Sequence, residues 1–535
     1  MSPFDRDSVS DIIVSDKFGT NAGNMIYANG VYRTLLTEDT EILLDHYKAE
    51  RGSYTNSEID WINENCSAYI VALADAFRES FQQQLNGFSD FMSRLKIPVH
   101  IVGVGLSAPY EPDFSDPFPF DEDVKRFVST ALEKTACLGL RGQITADYLK
   151  RLGFTEGRDY TAIGCPSVYT FGKHLSRKPL TLADDTRISI NYGHTCPPEA
   201  ISFLNALVEG KANCQFVGQR LKELLTLYIG MEKEEGVESP GYPIGLSDPL
   251  YAQNQIRFFV NAESWLENLK HMDLSIGSRI HGNIAAVLSG TSAVFLPLDS
   301  RTREVCEYHR FPFLPAASIS AEDRLEDVLA SLDMDSHIKA HAANFAHFLD
   351  FLNQNGIDHI YKEDPERQDA PLDQALASLD KDLSLRGVES IVCCDDATKA
   401  NRALELYQKN ELRDAKKLNW LKKEYAQRSQ VIDTLKTENA ALKNENEKSL
   451  QRVNALAEEN AGLQSENEKK AQAVSALEKE NGKLKEENKK RERTVNSLKK
   501  ENAALKGSYS YRIGRLITWP YRKLRSLLKK WKAAI

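Results

Sequence analysis

Between Asp11 and about Ser167, short apolar runs alternate with segments whose apolar residues recur every three to four positions. The runs DIIVSD (11–16), AYIVAL (68–73), VHIVGVGLS (99–107), ACLGLRG (136–142) and YTAIGCPS (160–167) predict strands. Stretches such as DEDVKRFVSTALEK and TADYLKRLG predict amphipathic helices ended by charge or glycine. Near-continuous apolar strands alternating with helices imply a parallel sheet covered on both faces. After a polar hinge, SRKPLTLADDT (176–186), the rhythm restarts. Strands are predicted at RISINYG (187–193), CQFVGQ (214–219), IRFFVNA (256–262), DLSIGSR (273–279) and AVFLPL (293–298), with helices such as PPEAISFLNALVEG between them. The expectation is an α/β protein of two lobes, residues 1–175 and 187–350, with a cleft between them. Ligands in such folds sit beyond the carboxyl ends of the strands.

Residues 351–417 are polar and weakly patterned, and read as a partly helical connector. A different pattern then begins. With Leu435 as a heptad d position, Leu442, Leu456, Leu463, Leu477, Leu484, Leu498 and Leu505 also fall at d. The a positions include Ile432, Val453, Val474 and Val495, interspersed with Asn439, Asn446, Asn460, Asn467, Asn481, Asn488 and Asn502. A strict heptad predicts a left-handed coiled coil, and Asn at a favours a parallel dimer in fixed register at some cost in stability. The predicted rod, 418–506, would be about 130 Å long at 1.5 Å per residue, and a homodimer is the expected assembly. A single solvated helix is the blander alternative.

Composition changes this picture only at one end. The 535 residues carry a net charge of -9, which disfavours a uniformly basic nucleic-acid binder. The segment 507–535, however, holds eight Lys/Arg and no acid, leaving -17 for the rest. Its basic residues interleave with Tyr509, Tyr511, Ile513, Trp519, Leu524, Leu527, Leu528 and Trp531, as in an interfacial helix lying on an anionic membrane. Nucleic-acid binding is the competing reading of that patch, and the bulk of its apolar residues weighs against it. The eight cysteines form no CxxC pair and no His/Cys ligand spacing, so a zinc site or disulfide scaffold is not expected. The acidic N-terminus, MSPFDRDSVSD, is not a secretory signal, and no run of 18 apolar residues occurs.

The candidate chemistry lies at strand ends. In DLSIGSRIHGNIAAVLSGTSAVFLPLD (273–299), Arg279 and His281 fall at a strand-to-helix turn. A forked guanidinium, an imidazole of adjustable charge and a helix N-terminus together suit an anion. The bland alternative pairs Arg279 with a neighbouring acid and uses His281 as a cap. In ACLGLRGQITADYLKRLG, Arg141 occupies a similar corner of the first lobe, so one arginine from each lobe could hold a doubly anionic ligand; a lobe-bridging ion pair is the alternative. Gly19 and Gly23 form no GxGxxG fingerprint, and no carboxylate or His cluster demands a metal.

Together the GTNAGN turn (19–24), the LRGQIT corner with its DYLKRLG helix, the GCPS strand end and above all IGSRIHGNIAAVLSGTSAVFLPLD resemble the polysaccharide pyruvyl transferase family over roughly residues 10–315. The resemblance implies two Rossmann-like lobes in a GT-B-like arrangement, and transfer of a pyruvyl unit from phosphoenolpyruvate to sugar hydroxyls as a ketal. It matches Arg279 and His281 to the donor-binding pair, and Arg141 to a first-lobe arginine. The sequence departs from the family pattern in having Asn24 after Gly23 where Asp is usual, and Gly142 after Arg141 where many members carry an acid.

Phosphoenolpyruvate carries a phosphate and a carboxylate, for which two arginines are a reasonable minimum clamp. On this reading His281 is the general acid, a role worth ~10² to 10⁴ in rate. His194, in NYGHT, is the next acid/base or donor-contact candidate, although a loop histidine is more often structural. Asn24 and Asp16 are candidate acceptor contacts, with turn capping as the blander account. No cofactor is expected beyond the phosphoenolpyruvate co-substrate. The expected setting is cytoplasmic, peripheral on the inner face of the plasma membrane, with a glycan or lipid-linked saccharide acceptor. Two alternatives stand: a GT-B-type glycosyltransferase using a nucleotide-sugar, and a membrane-tethered coiled-coil scaffold with a degenerate enzyme domain.

Overall fold

The structure, a computed structural model, describes residues 3–231, 239–379, 386–501, 521 and 523–525. They fall into two units, divided between Lys417 and Leu418. The first unit contains two parallel sheets. In the first lobe, β1 (Tyr69–Val71), β2 (Val99–Val104), β3 (Leu138–Leu140) and β4 (Tyr160–Ala162) pair in sequence order. In the second, β5 (Ile188–Asn191), β6 (Gln215–Val217), β7 (Ile256–Arg257), β8 (Leu274–Gly277) and β9 (Ser292–Phe295) take the order β7-β6-β5-β8-β9. Each of these strands lies within a predicted run, except that β9 begins one residue before AVFLPL. The architecture is the two-lobed α/β fold expected.

Strand order explains how the chain ends are used. Right-handed crossovers between sequential parallel strands place successive helices on one face. In the first lobe Gln82–Arg94, Asp121–Leu132 and Gln143–Arg151 accordingly share a core with Val99, Ile101 and Val104. That winding leaves the opposite face of the sheet bare, with Val102 and Ile163 pointing to it. The helix Ser336–Gln354 covers it, packing Phe345, Phe348 and Phe351 with Leu35 and Tyr169. The chain therefore crosses position 350, the expected end of the second lobe, inside a helix that completes the first lobe.

The N-terminal segment makes the reciprocal exchange. DIIVSD, predicted as a strand, lies in the helix Val9–Ser15. A short apolar run does not distinguish the two by periodicity, and here the caps decide. The Ser8 side chain accepts from Asp11 N, and Asp16 ends the helix in the left-handed region at φ 46°. Ile12, Ile13 and Val14 join the helix Gly23–Leu35 in burying apolar residues against the second lobe.

The last helix, Asp396–Glu501, runs for 106 residues. Its first turns pack on the second lobe through Leu406, while Arg413 donates to the Val14 carbonyl. In the second unit the heptad leucines at 435, 442, 456, 463, 477 and 484 are between 52% and 63% exposed, so the apolar seam of the predicted rod is uncovered in the single chain. The basic tail predicted over 507–535 lies outside the described residues except for Tyr521 and 523–525. Among the described residues no helix is long and apolar enough to cross a membrane.

Candidate active site

The order of the second sheet reverses between β5 and β8, and the crevice beyond their carboxyl ends is where a doubly wound sheet binds its ligand. Close approach of the two strand ends builds the site. A Cβ on Gly277, whose φ is 156°, would lie 1.6 Å from the Asn191 carbonyl oxygen, so only glycine fits there. Ser278 N then donates to that carbonyl at 2.9 Å, and Arg279 N donates to Asn191 Oδ1 at 3.0 Å. Asn191 Nδ2 donates to Asn283 Oδ1 at 2.8 Å, and Asn283 Nδ2 donates to the Gly277 carbonyl at 2.8 Å. These buried amides fix the entry to the helix Ile280–Leu288, with Arg279 at its N-cap and His281 in its first turn.

Beyond these strand ends lies a cavity of about 590 Å³, walled by Tyr110 from the first lobe and by His194, Arg279, Leu298, Asp299, Arg301 and several prolines from the second. Its polar chemistry is one-sided. Arg279 Nε and Nη2, and Arg301 Nε, are buried without a hydrogen-bond partner among the described residues. Arg301 donates from Nη1 to Asp75 Oδ2 at 2.9 Å, across the lobes, and from Nη2 to Asp299 Oδ2 at 3.2 Å. Burial opposes its charge, and Asp299 with Asp75 more than offsets this. Burial likewise lowers the pKa of Arg279, against the nearby Glu223 carboxylate. Buried guanidinium donors left without partners cost free energy, and an anion hydrogen-bonded to them would recover it.

The remaining sequence candidates divide into two groups. His281 is 5% exposed, does not line the cavity and has Nε2 3.8 Å from Cys165 Sγ. Burial first, then the positive charges of Arg141 and Arg301, hold its pKa well below the ordinary histidine value, so the ring is neutral at pH 7. Arg141 is buried deeper still. Its Nε donates to the Gly103 carbonyl at 2.8 Å, its guanidinium stacks 4.9 Å from the Tyr27 ring, and its Nη2 is unpartnered among the described residues. Tyr27 in turn lies 5.8 Å from the His281 ring, so Arg141, Tyr27 and His281 form one cluster across the lobes. Arg141 does not wall the cavity; Arg301 is the arginine beside Arg279.

His194 reaches the cavity wall from the loop after β5. Asn24 and Asp16 close the turn ahead of the helix Gly23–Leu35: Asn24 Nδ2 donates to the Phe18 carbonyl, and Asp16 Oδ1 accepts from Thr20 N, both at 2.8 Å. Neither lines the cavity. At Gly142 a Cβ would meet Glu304 Cβ at 2.8 Å, because that second-lobe carboxylate caps the first-lobe helix Gln143–Arg151. Glu304 accepts from Thr145 N at 2.8 Å and from Thr145 Oγ1 at 2.7 Å, and burial pushes its pKa up to about 8.

Residues 21–300, just over half of the chain, match the family described as polysaccharide pyruvyl transferase. The chain belongs to that family. The match covers Arg141, Arg279 and His281 and stops one residue short of Arg301. No curated protein matches. Among solved structures, similarity extends to an uncharacterised protein of Klebsiella pneumoniae, 15% identical over 55% of this chain and 88% of that one, with a TM-score of 0.29. An Anabaena protein in complex with UDP and glucose is 10% identical over 56% and 79%, at 0.31. A UDP-GlcNAc 2-epimerase of Methanocaldococcus jannaschii is 12% identical over 56% and 78%, also at 0.31. Family membership makes the chain a pyruvyl transferase with a glycan acceptor.

Sequence reasoning missed Arg301, Tyr27 and Glu304. Arg301 obeys the rule that found Arg279, an arginine at a strand's carboxyl edge beside a helix start, because it follows β9 in FLPLDSR. Tyr27 and Glu304 carry no such signal, since tertiary packing alone brings them to Arg141.

Proposed function

We propose that this pyruvyl transferase uses phosphoenolpyruvate as donor and forms a pyruvate ketal on two hydroxyls of a cell-surface or exopolysaccharide glycan. The observation that carries the reading is that Arg279 and Arg301 line one cavity, each with guanidinium nitrogen buried without a hydrogen-bond partner among the described residues. A small molecule bearing both phosphate and carboxylate satisfies such a pair, with one arginine for each anionic group. The reaction moves two hydroxyl protons. One ends on the methylene carbon as C2 becomes oxocarbenium-like and the first hydroxyl oxygen bonds to it. The C2–O bond to phosphate then breaks, the second hydroxyl oxygen closes the ketal, and its proton ends on the released phosphate. His281, neutral before donor binding but off the cavity wall, would take the first hydroxyl proton and return it to carbon through an intervening water. His194, at the cavity wall, is placed to assist on the acceptor side.

The uncovered heptad seam supports a parallel homodimer through residues 418–506. The basic, aromatic segment 507–535 supports docking on the anionic inner face of the plasma membrane, where lipid-linked saccharides would be within reach. The test is phosphate release from phosphoenolpyruvate with a glycan acceptor. Arg279→Ala should abolish it, and full activity in that variant would refute the donor assignment.

A further inference from the structure

The heptad seam does not begin where the rod does. Counting back four heptads from Ile432 at a and Leu435 at d reaches Leu404 and Tyr407. Both belong to the first turns of the helix Asp396–Glu501, within the catalytic unit. Arg402, Leu406, Lys409 and Arg413, spaced at four, three and four residues, fasten this segment to the catalytic unit. Arg402 stacks 4.5 Å from the Tyr228 ring, Leu406 is buried, and Lys409 pairs with Asp11 at 2.9 Å. Leu404 and Tyr407 lie on the opposite side of the helix and are 54% and 61% exposed. One exposed leucine means nothing by itself. Two apolar residues at a and d of a register that resumes with Leu418, Leu421 and Tyr425 form part of a seam.

We propose that a second copy of this chain covers Leu404 and Tyr407, so that the parallel pairing begins on the catalytic unit and holds two catalytic units side by side. The inference rests on the homodimer read above. Self-pairing in parallel register is favoured by charge. In that arrangement each g residue meets the e residue five positions on in the partner, which sets Glu438 against Lys443 and Glu480 against Lys485, two opposite-charge pairs that outnumber the one like-charge pair within 418–506, Glu487 against Glu492. The seam is interrupted at Glu411 and Asp414, so the contact at 404 and 407 is a separate patch in the same register. Tyr407 stays amphipathic there, its hydroxyl donating to Glu411 at 2.6 Å.

The experiment uses the full chain carrying Cys393→Ser and Cys394→Ser. Into it are placed, singly, Leu404→Cys at a on the catalytic unit, Leu442→Cys at d on the rod, and Leu412→Cys, exposed but off the seam. Mild oxidation followed by a denaturing gel should give covalent dimers with Leu404→Cys and Leu442→Cys, and monomer with Leu412→Cys. Linking at 442 without linking at 404 overturns this inference and leaves the homodimer standing. Failure at both positions removes the homodimer as well. Linking at 412 as readily as at 404 also overturns it, since the contact would then have no register.

Discussion

Replacing Arg301 by methionine keeps the stem of the side chain and removes its charge. The guanidinium of this cavity-lining residue ties Asp75 of the first lobe to Asp299 of the second through its Nη atoms, while its Nε is buried without a partner among the described residues. The ion pairs are largely covered, with side-chain exposures of 29%, 28% and 27%, and contribute about 1 kcal/mol each at most. Their loss should lower the melting temperature by only a few degrees. A hydrogen bond to a charged group contributes about 1.5 to 3 kcal/mol, and about 1.4 kcal/mol is a factor of ten. Arg301→Met should therefore weaken phosphoenolpyruvate binding roughly 10- to 100-fold. Titration calorimetry without acceptor measures this directly. Asp75→Asn, which loosens the tie but leaves the guanidinium, should cost less affinity. If folded Arg301→Met binds phosphoenolpyruvate as the wild type does while Arg279→Ala does not, the cavity does not use the two arginines together.

Gly277→Ala should fail to give a folded catalytic unit, because its Cβ would overlap the Asn191 carbonyl, whereas Gly462→Ala, with nothing within 4 Å, should leave melting unchanged or raise helix stability by about 0.5 to 1 kcal/mol; equal melting of the two variants would refute the close-approach account. Acid should unfold the catalytic unit early. Burial lowers the pKa values of His100, His337 and His359 to about 4 from an unfolded value near 6.5, so their contribution is complete above pH 6.5 and is lost as pH falls toward 4, on the order of 3 kcal/mol each. The urea midpoint should fall steadily between pH 6.5 and pH 4.5, and a flat midpoint over that range would show that these rings are not buried neutral.

Strands were the legible part of this fold because a parallel sheet buried on both faces writes itself as continuous apolar runs, and β2 and β5 are buried throughout. DIIVSD failed for the same reason in reverse. Its apolar run is buried at Ile12, Ile13 and Val14 of a short helix, three consecutive positions that mimic a buried strand, and only Ser8 and the left-handed Asp16 mark the ends. Lobe boundaries were less visible still. Nothing local in SHIKAHAANFAHFLDFLNQ says that Phe345, Phe348 and Phe351 belong under the first sheet, since that follows from the bare face left by its sequential winding.

The site repeats this division. Arg279 and His281 were readable because a single strand-turn-helix carries them, and the same local rule reaches Arg301. The role of Arg141 depends on geometry that spacing does not encode. Its strand end is the expected corner, yet the guanidinium turns inward to the Gly103 carbonyl and the Tyr27 ring, and the cavity is left to two arginines of the second lobe. The first lobe still acts on the site, through Asp75 holding Arg301 and through the positive charge of Arg141 on His281. Burial is the larger cause of the uncharged imidazole and stays in place when a donor binds. A dianion beside Arg301 would relieve only the smaller, electrostatic part, so donor binding should raise the proton affinity of His281 modestly.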